Sequence, residues 1–96
     1  MGISESITNR RSDILSTANR HGAKSIRVFG SVARGEATTE SDVDFLVTME
    51  PVRSLFDICA MMTDLSDLFD CKVDVVTESS LHWLLRRRIL NEATPL

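Results

Sequence analysis

Long apolar runs are missing from this 96-residue chain. No window approaches the roughly 20 apolar residues that span a bilayer, so no membrane insertion is expected. The opening segment, MGISESITNRRSD, has no apolar stretch after a basic start, which argues against a secretory signal. Gly2 and Ser6 fit the Met-Gly-x-x-x-Ser outline of N-myristoylation. That match is short, and no second membrane signal accompanies it, so it is discounted. Excess positive charge is missing too. Eleven Lys and Arg face 14 Asp and Glu, for a formal net charge of -3. Bulk electrostatics therefore cannot hold a nucleic acid, no direct nucleic-acid binding is expected, and only a local basic patch stays open. Cysteine is sparse. Cys59 and Cys71 lack metal-ligand spacing, so both are expected as buried free thiols in a reducing compartment, which places the protein in the cytoplasm. Repeats, low-complexity segments and internal linkers are absent. A single domain over residues 1–96 is expected, with one modest core.

What is present is an ordinary globular composition, 43% hydrophobic and 26% charged. Residues 4–20 read as a helix, capped by Ser4 or Ser6, with Ile7, Ile14, Leu15 and Ala18 near one face. Gly22 is its expected left-handed terminator, and His21 reads as a surface residue complementing the helix dipole. SIRVFG (25–30) is a short strand, with Ile26 and Val28 on one face and Arg27 and Phe29 on the other. Residues 31–34 could form one helical turn, and 36–41 read as a polar loop. DVDFLVTM (42–49) is a second strand, which Pro51 breaks. Helical spacing of Leu55, Ile58, Cys59, Met62, Leu65 and Phe69 marks a helix over 53–69. KVDVVT (72–77) is a third strand, and a last helix capped by Ser79 or Ser80 carries Leu81, Leu84, Leu85 and Ile89. The fold class is α/β in the broad sense (α+β): a small mixed sheet of about three strands flanked by about three to four helices.

The second strand carries two acids where a core strand should carry none. Side chains two apart on a strand share a face, so Asp42 and Asp44 point together while Val43, Phe45 and Val47 point into the core. Adjacent carboxylates repel unless protonated, hydrogen-bonded or bridged by a cation. Magnesium suits them, since it takes carboxylate and phosphate oxygens. Asp74 lies mid-strand in KVDVV and can reach the same place if its strand is a neighbour. Three acids could then hold two metal ions, and Asp74 could accept a proton from an attacking hydroxyl. The plainer alternative is that Asp42 and Asp44 line a solvent-exposed strand face, and in isolation the two readings are about equally matched. Gly30 and Ser31 tip the balance. They end a strand and begin a turn, where N–H groups and a hydroxyl can cradle a phosphate and the missing Cβ permits close approach. Arg34, one turn on, either contacts phosphate or pairs with an acid.

Gly30-Ser31, ten residues, then Asp42-Val43-Asp44 is the pattern of the nucleotidyltransferase superfamily related to DNA polymerase beta. The longer GSVARGEATTESDVDFLV, with KVDVVTESSLHWLLRRRILNEA downstream, resembles its minimal nucleotidyltransferase (MNT) family over roughly residues 20–93. The resemblance implies the polymerase beta-like fold. It implies attack of a hydroxyl on the α-phosphate of ATP with loss of pyrophosphate, and two magnesium ions held by Asp42, Asp44 and Asp74. Gly30 and Ser31 would hold the triphosphate. Many such proteins resemble antitoxins paired with a HEPN-domain ribonuclease toxin, and some transfer AMP to a tyrosine of that toxin. A HEPN toxin is therefore the expected partner, and the lack of a second lobe suggests that a partner completes the site. Two other readings stay open: an antitoxin that acts by occlusion alone, and a transferase acting on a small molecule. Arg86, Arg87 and Arg88 form either a solvated face or a docking surface, and Trp83 is either core or an interface anchor.

Overall fold

The computed structural model describes residues 7–30 and 43–96. Its elements run α1 (Arg11–Arg20), β1 (Ala23–Phe29), β2 (Val43–Met49), α2 (Leu55–Phe69), β3 (Val73–Thr77), a 3-10 turn (Glu78–Ser80), α3 (Trp83–Glu92) and β4 (Thr94–Pro95). The four strands form one mixed sheet in the order β3-β2-β1-β4. β1 pairs antiparallel with β2 and with β4, whereas β2 and β3 are parallel. A parallel pair needs a crossover between its strands, and α2 supplies it. The expected three strands are present. The fourth, only two residues long, carries no sequence pattern of its own and forms because β1 offers it an edge.

Strand alternation sorts the sheet into two unlike faces. One face carries Ile26 and Val28 from β1, Val43, Phe45 and Val47 from β2, and Val73 and Val75 from β3, all buried. It packs against α1 and α2 through Ile14, Ala18, Met61 and Leu65, with Ile7 in the same cluster. Phe45 is fully buried and lies 6.2 Å from the Phe69 ring, centroid to centroid. The other face carries Arg27, Phe29, Asp44, Leu46, Asp74 and Val76. Leu46 is fully buried yet lies outside the main cluster, so this second face is covered as well.

Several local expectations are corrected. The first helix is not continuous: residues 7–9 are helical, Arg10 departs from helical geometry, and α1 proper starts at Arg11. Leu55, at 72% exposure, and Cys59 both face solvent, whereas Ile58, Met62, Leu65 and Phe69 of the expected stripe lie in or against the core, joined there by buried Met61. Cys59 is thus an exposed thiol rather than a buried one, and Cys71 is half-buried. α3 is not capped by Ser79 or Ser80, which sit in the 3-10 turn; its cap is His82, whose Nδ1 accepts from the Leu84 N–H at 3.2 Å. The left-handed terminator at Gly22 is observed, with φ +89°.

His21 is no solvent-facing dipole partner. Its Nε2 lies 2.6 Å from Asp64 Oδ2, joining the end of α1 to α2, and Arg20 donates to the same oxygen at 3.2 Å. These contacts, the His21 bond foremost, hold the Asp64 carboxyl below its ordinary value of 3.8. A carboxyl depressed by folding adds stability that is fully present above 3.8 and is lost as pH falls through the lower folded-state value. Asp64→Asn should therefore flatten the acid limb. Between about pH 5 and about pH 2, urea midpoints of the wild type should fall further than those of the variant. Parallel acid limbs would reject the contribution.

Candidate active site

Asp44 and Asp74 are strand neighbours. β2 and β3 run parallel with Asp44 directly opposite Asp74, and both side chains lie on the face turned away from the helical core. Each is half-buried. The adjacency follows from the pattern itself. Val43 and Val73 open their strands by entering the core, which sends the next residue of each strand to the opposite face at the same height. Like charges held this close raise the energy of the folded chain unless something positive or a donor lies between them.

β1 brings the glycine turn to the same place. Phe29 pairs with Asp44, so Gly30 follows just beyond the carboxylate. Gly30 has φ +78°, the left-handed region where a side chain is strained. A Cβ added there would lie 2.5 Å from Asp44 Oδ2. Only glycine lets the turn and the carboxylate share this space. The close approach expected at Gly30 is to a phosphate; the group the structure places beside it is the Asp44 carboxylate.

One expectation about Gly30 needs revision. Its N–H is not an open phosphate donor, because it donates to Glu92 Oε2 at 2.9 Å. Sequence reasoning does not single out Glu92. The one available signal is its place in RRRILNEA, which reads as the polar end of a helix. Arg27 likewise reads only as a strand residue. It pairs with Glu78, and Arg86 lies 3.8 Å from the other Glu78 carboxylate oxygen. Arg86 also donates to the Glu78 carbonyl at 3.2 Å. This Arg27–Glu78–Arg86 chain ties α3 to the acid-bearing face.

Asp42, Ser31 and Arg34 lie outside the described residues, so the structure places neither the second acid of the Asp-x-Asp pair nor the rest of the cradle. Among the described residues, no group of three His, Cys, Asp or Glu is gathered to hold a metal ion. The donors that are described do fit a hard cation. Two carboxylates side by side on rigid strands offer oxygen ligands on one face, the donor chemistry of magnesium.

Among the described residues, large apolar side chains lie exposed on two stretches. Val52, Leu55 and Phe56 flank the start of α2, and Trp83, Leu84 and Leu85 open α3. Trp83 is 76% exposed, so it is not core. Both stretches come soon after the chain leaves β2 and β3, toward the end of the sheet opposite the acids. No helix among the described residues is long and apolar enough to cross a membrane.

The chain matches the nucleotidyltransferase domain family over residues 10–96. It is 43% identical over 74 residues to a Methanocaldococcus jannaschii protein provisionally named a protein adenylyltransferase, covering 77% of this chain and 80% of that one. It is 41% identical over 73 residues to the protein adenylyltransferase MntA of Thermococcus cleftensis, covering 76% of this chain and 74% of that one. A solved structure provisionally described as a minimal nucleotidyltransferase superposes with a TM-score of 0.88 at 46% identity, over 100% of this chain and 97% of the other. The fold also recurs, at 17% identity and a TM-score of 0.70, in the complex of a tri-AMPylated Shewanella oneidensis HEPN toxin with an MNT antitoxin. That match covers 92% of this chain and 69% of the other.

Proposed function

Because the chain belongs to the nucleotidyltransferase domain family and is a nucleotidyltransferase, we propose that it moves AMP from ATP to a hydroxyl of a HEPN-domain toxin and thereby neutralises it. The observation that carries the chemistry is Asp44 opposite Asp74, with the Gly30 turn packed onto Asp44. The choice of a protein acceptor is supported by relatives named protein adenylyltransferases and by the shared fold with the antitoxin complex. A tyrosine is the proposed acceptor, and residues 1–96 act as one domain.

In this reading Asp42, Asp44 and Asp74 hold two magnesium ions. Such ions would polarise the phosphate oxygens and favour ionisation of the attacking hydroxyl. The chain's own groups do the rest. Asp74 takes the proton from the acceptor hydroxyl, whose oxygen bonds to the α-phosphorus as the bond to the bridging oxygen breaks and pyrophosphate leaves. Ser31 and Arg34 hold the triphosphate beyond the Gly30 turn. Asp44 and Asp74, both half-buried, are fixed by strand pairing, so these two carboxylates are in place before the acceptor arrives.

A second reading has its own support. Exposed Trp83, Leu84 and Leu85 give the chain a surface suited to protein contact, so it could block its toxin by occlusion alone. The test is incubation with α-labelled ATP, magnesium and purified HEPN toxin. Label should appear on the toxin and its ribonuclease activity should fall in step. An intact toxin that stays unlabelled, with metal content verified, removes AMP transfer, and inhibition without label then selects occlusion.

A further inference from the structure

The Gly30 amide is gripped by a residue from the far end of the sequence. Its N–H donates to Glu92 Oε2 across 62 positions. Glu92 is the last residue of α3, and the chain beyond it is fastened to β1. Thr94 pairs with Val28, Pro95 with Arg27, and the Leu96 N–H donates to the Ile26 carbonyl at 3.4 Å. The backbone at Glu92 is therefore anchored beside the strand that ends at Gly30. α3 contributes no fully buried residue, so its hold on the sheet depends on contacts such as this one and the Arg86–Glu78 pair. The Gly30 peptide is hemmed in on two sides: Asp44 Oδ2 lies 2.5 Å from where a Cβ would be, and Glu92 takes the N–H. A bond from an amide to a carboxylate is charge-assisted and stronger than a neutral one.

We propose that Glu92 is a positioning residue for nucleotidyl transfer. By accepting the Gly30 N–H it fixes the left-handed peptide against which the Asp44 carboxylate lies. The triphosphate is accordingly held by groups other than the Gly30 amide, since a phosphate approaching that N–H would meet a second negative charge already bonded to it. Glu92 touches no reacting atom and acts through Gly30 and Asp44. The inference rests on the proposed role of Asp44, so its first readout needs no reaction.

That readout is amide hydrogen exchange of Gly30, measured by NMR in the full chain without nucleotide. The amide should be protected in the wild type. Loss of a charge-assisted bond in Glu92→Ala should speed its exchange by about tenfold or more, while the Val28 and Phe45 amides stay protected. Glu92→Gln keeps an acceptor oxygen and should fall between the two, and it carries the comparison if Glu92→Ala does not fold. In the transfer assay, Glu92→Ala should lose about 10–100-fold in kcat with little change in KM for ATP, the size typical of residues that orient a reactive group from behind. Glu92→Gln should regain most of it. Equal Gly30 exchange in all three proteins overturns the proposal, as does an unchanged kcat in Glu92→Ala. Tighter ATP binding by Glu92→Ala also overturns it, because Glu92 would then be occupying the triphosphate's own place. A wild type that transfers nothing, with exchange as expected, upholds the Glu92–Gly30 bond and removes the AMP-transfer reading instead.

Discussion

Asp44→Asn should lower the rate of AMP transfer by on the order of 10²–10³-fold, the usual cost of removing one preorganised charge-stabilising group from an active site. The substitution keeps shape and volume and removes only the charge. Asp44 faces Asp74 across a parallel strand pair, so the amide relieves a like-charge contact even as it weakens the site. Stability should therefore stay within about 1 kcal/mol of the wild type, with a like-charge penalty of that order available to offset whatever bonds the carboxylate gives up. Dead chemistry in a chain that stays folded would mark a functional group, whereas a structural acid would lose both together. Labelled ATP measures the first quantity and urea unfolding the second. Transfer at the wild-type rate would show that the acids do not serve the reaction. The same variant separates the two antitoxin readings: if Asp44→Asn still restrains the toxin in cells while transferring nothing, contact is sufficient.

The acid-bearing face was legible because it breaks a rule. A strand entering a small core should not carry aspartates, and two such strands, VDF and VDV, broke the rule at the same step from their first valine. Alternation gave their faces, and the glycine turn gave the third side. The two faces of the sheet were readable for the same reason, as Ile26 and Val28 against Arg27 and Phe29 show. Contacts that depend on where distant segments meet were not legible. His21 looks like a helix-end residue until α2 places Asp64 2.6 Å away. Glu92 looks like a helix-terminal acid until β4 folds back along β1 and delivers it to Gly30. The last helix shows the limit of periodicity. Leu84 and Leu85 recur with helical spacing, yet at 65% and 50% exposure they face away from the sheet. A helical stripe says that an apolar surface exists and is silent on what covers it. Trp83 obeys the same rule, and only the folded chain decides between core and surface.

Gly30→Ala should be the most informative single-methyl change in the protein. Two independent costs converge on that methyl group. The first is conformational: an L-residue at φ +78° adopts the left-handed region at about 1–2 kcal/mol. The second is steric. The added carbon would lie 2.5 Å from Asp44 Oδ2, closer than real contacts allow, so either the turn or the carboxylate must move. The carboxylate is the softer of the two. Its strand is locked between β1 and β3, but its side-chain torsion can rotate, whereas the turn is tied to Glu92 through the Gly30 N–H. Asp44 should therefore swing out of register with Asp74, and a shift of this size at a reacting centre costs about 10²-fold in rate. Transfer by Gly30→Ala should fall by about that factor, while unfolding free energy falls by only about 1–2 kcal/mol. Magnesium affinity gives a readout free of turnover. Titration should show it weakened in Gly30→Ala, as in Asp44→Asn, since both changes remove a well-placed carboxylate. If Gly30→Ala binds magnesium and transfers AMP as the wild type does, the turn tolerates a methyl group. Any cost of the substitution would then be one of backbone conformation alone, and the packing of the turn against Asp44 would have no part in the chemistry.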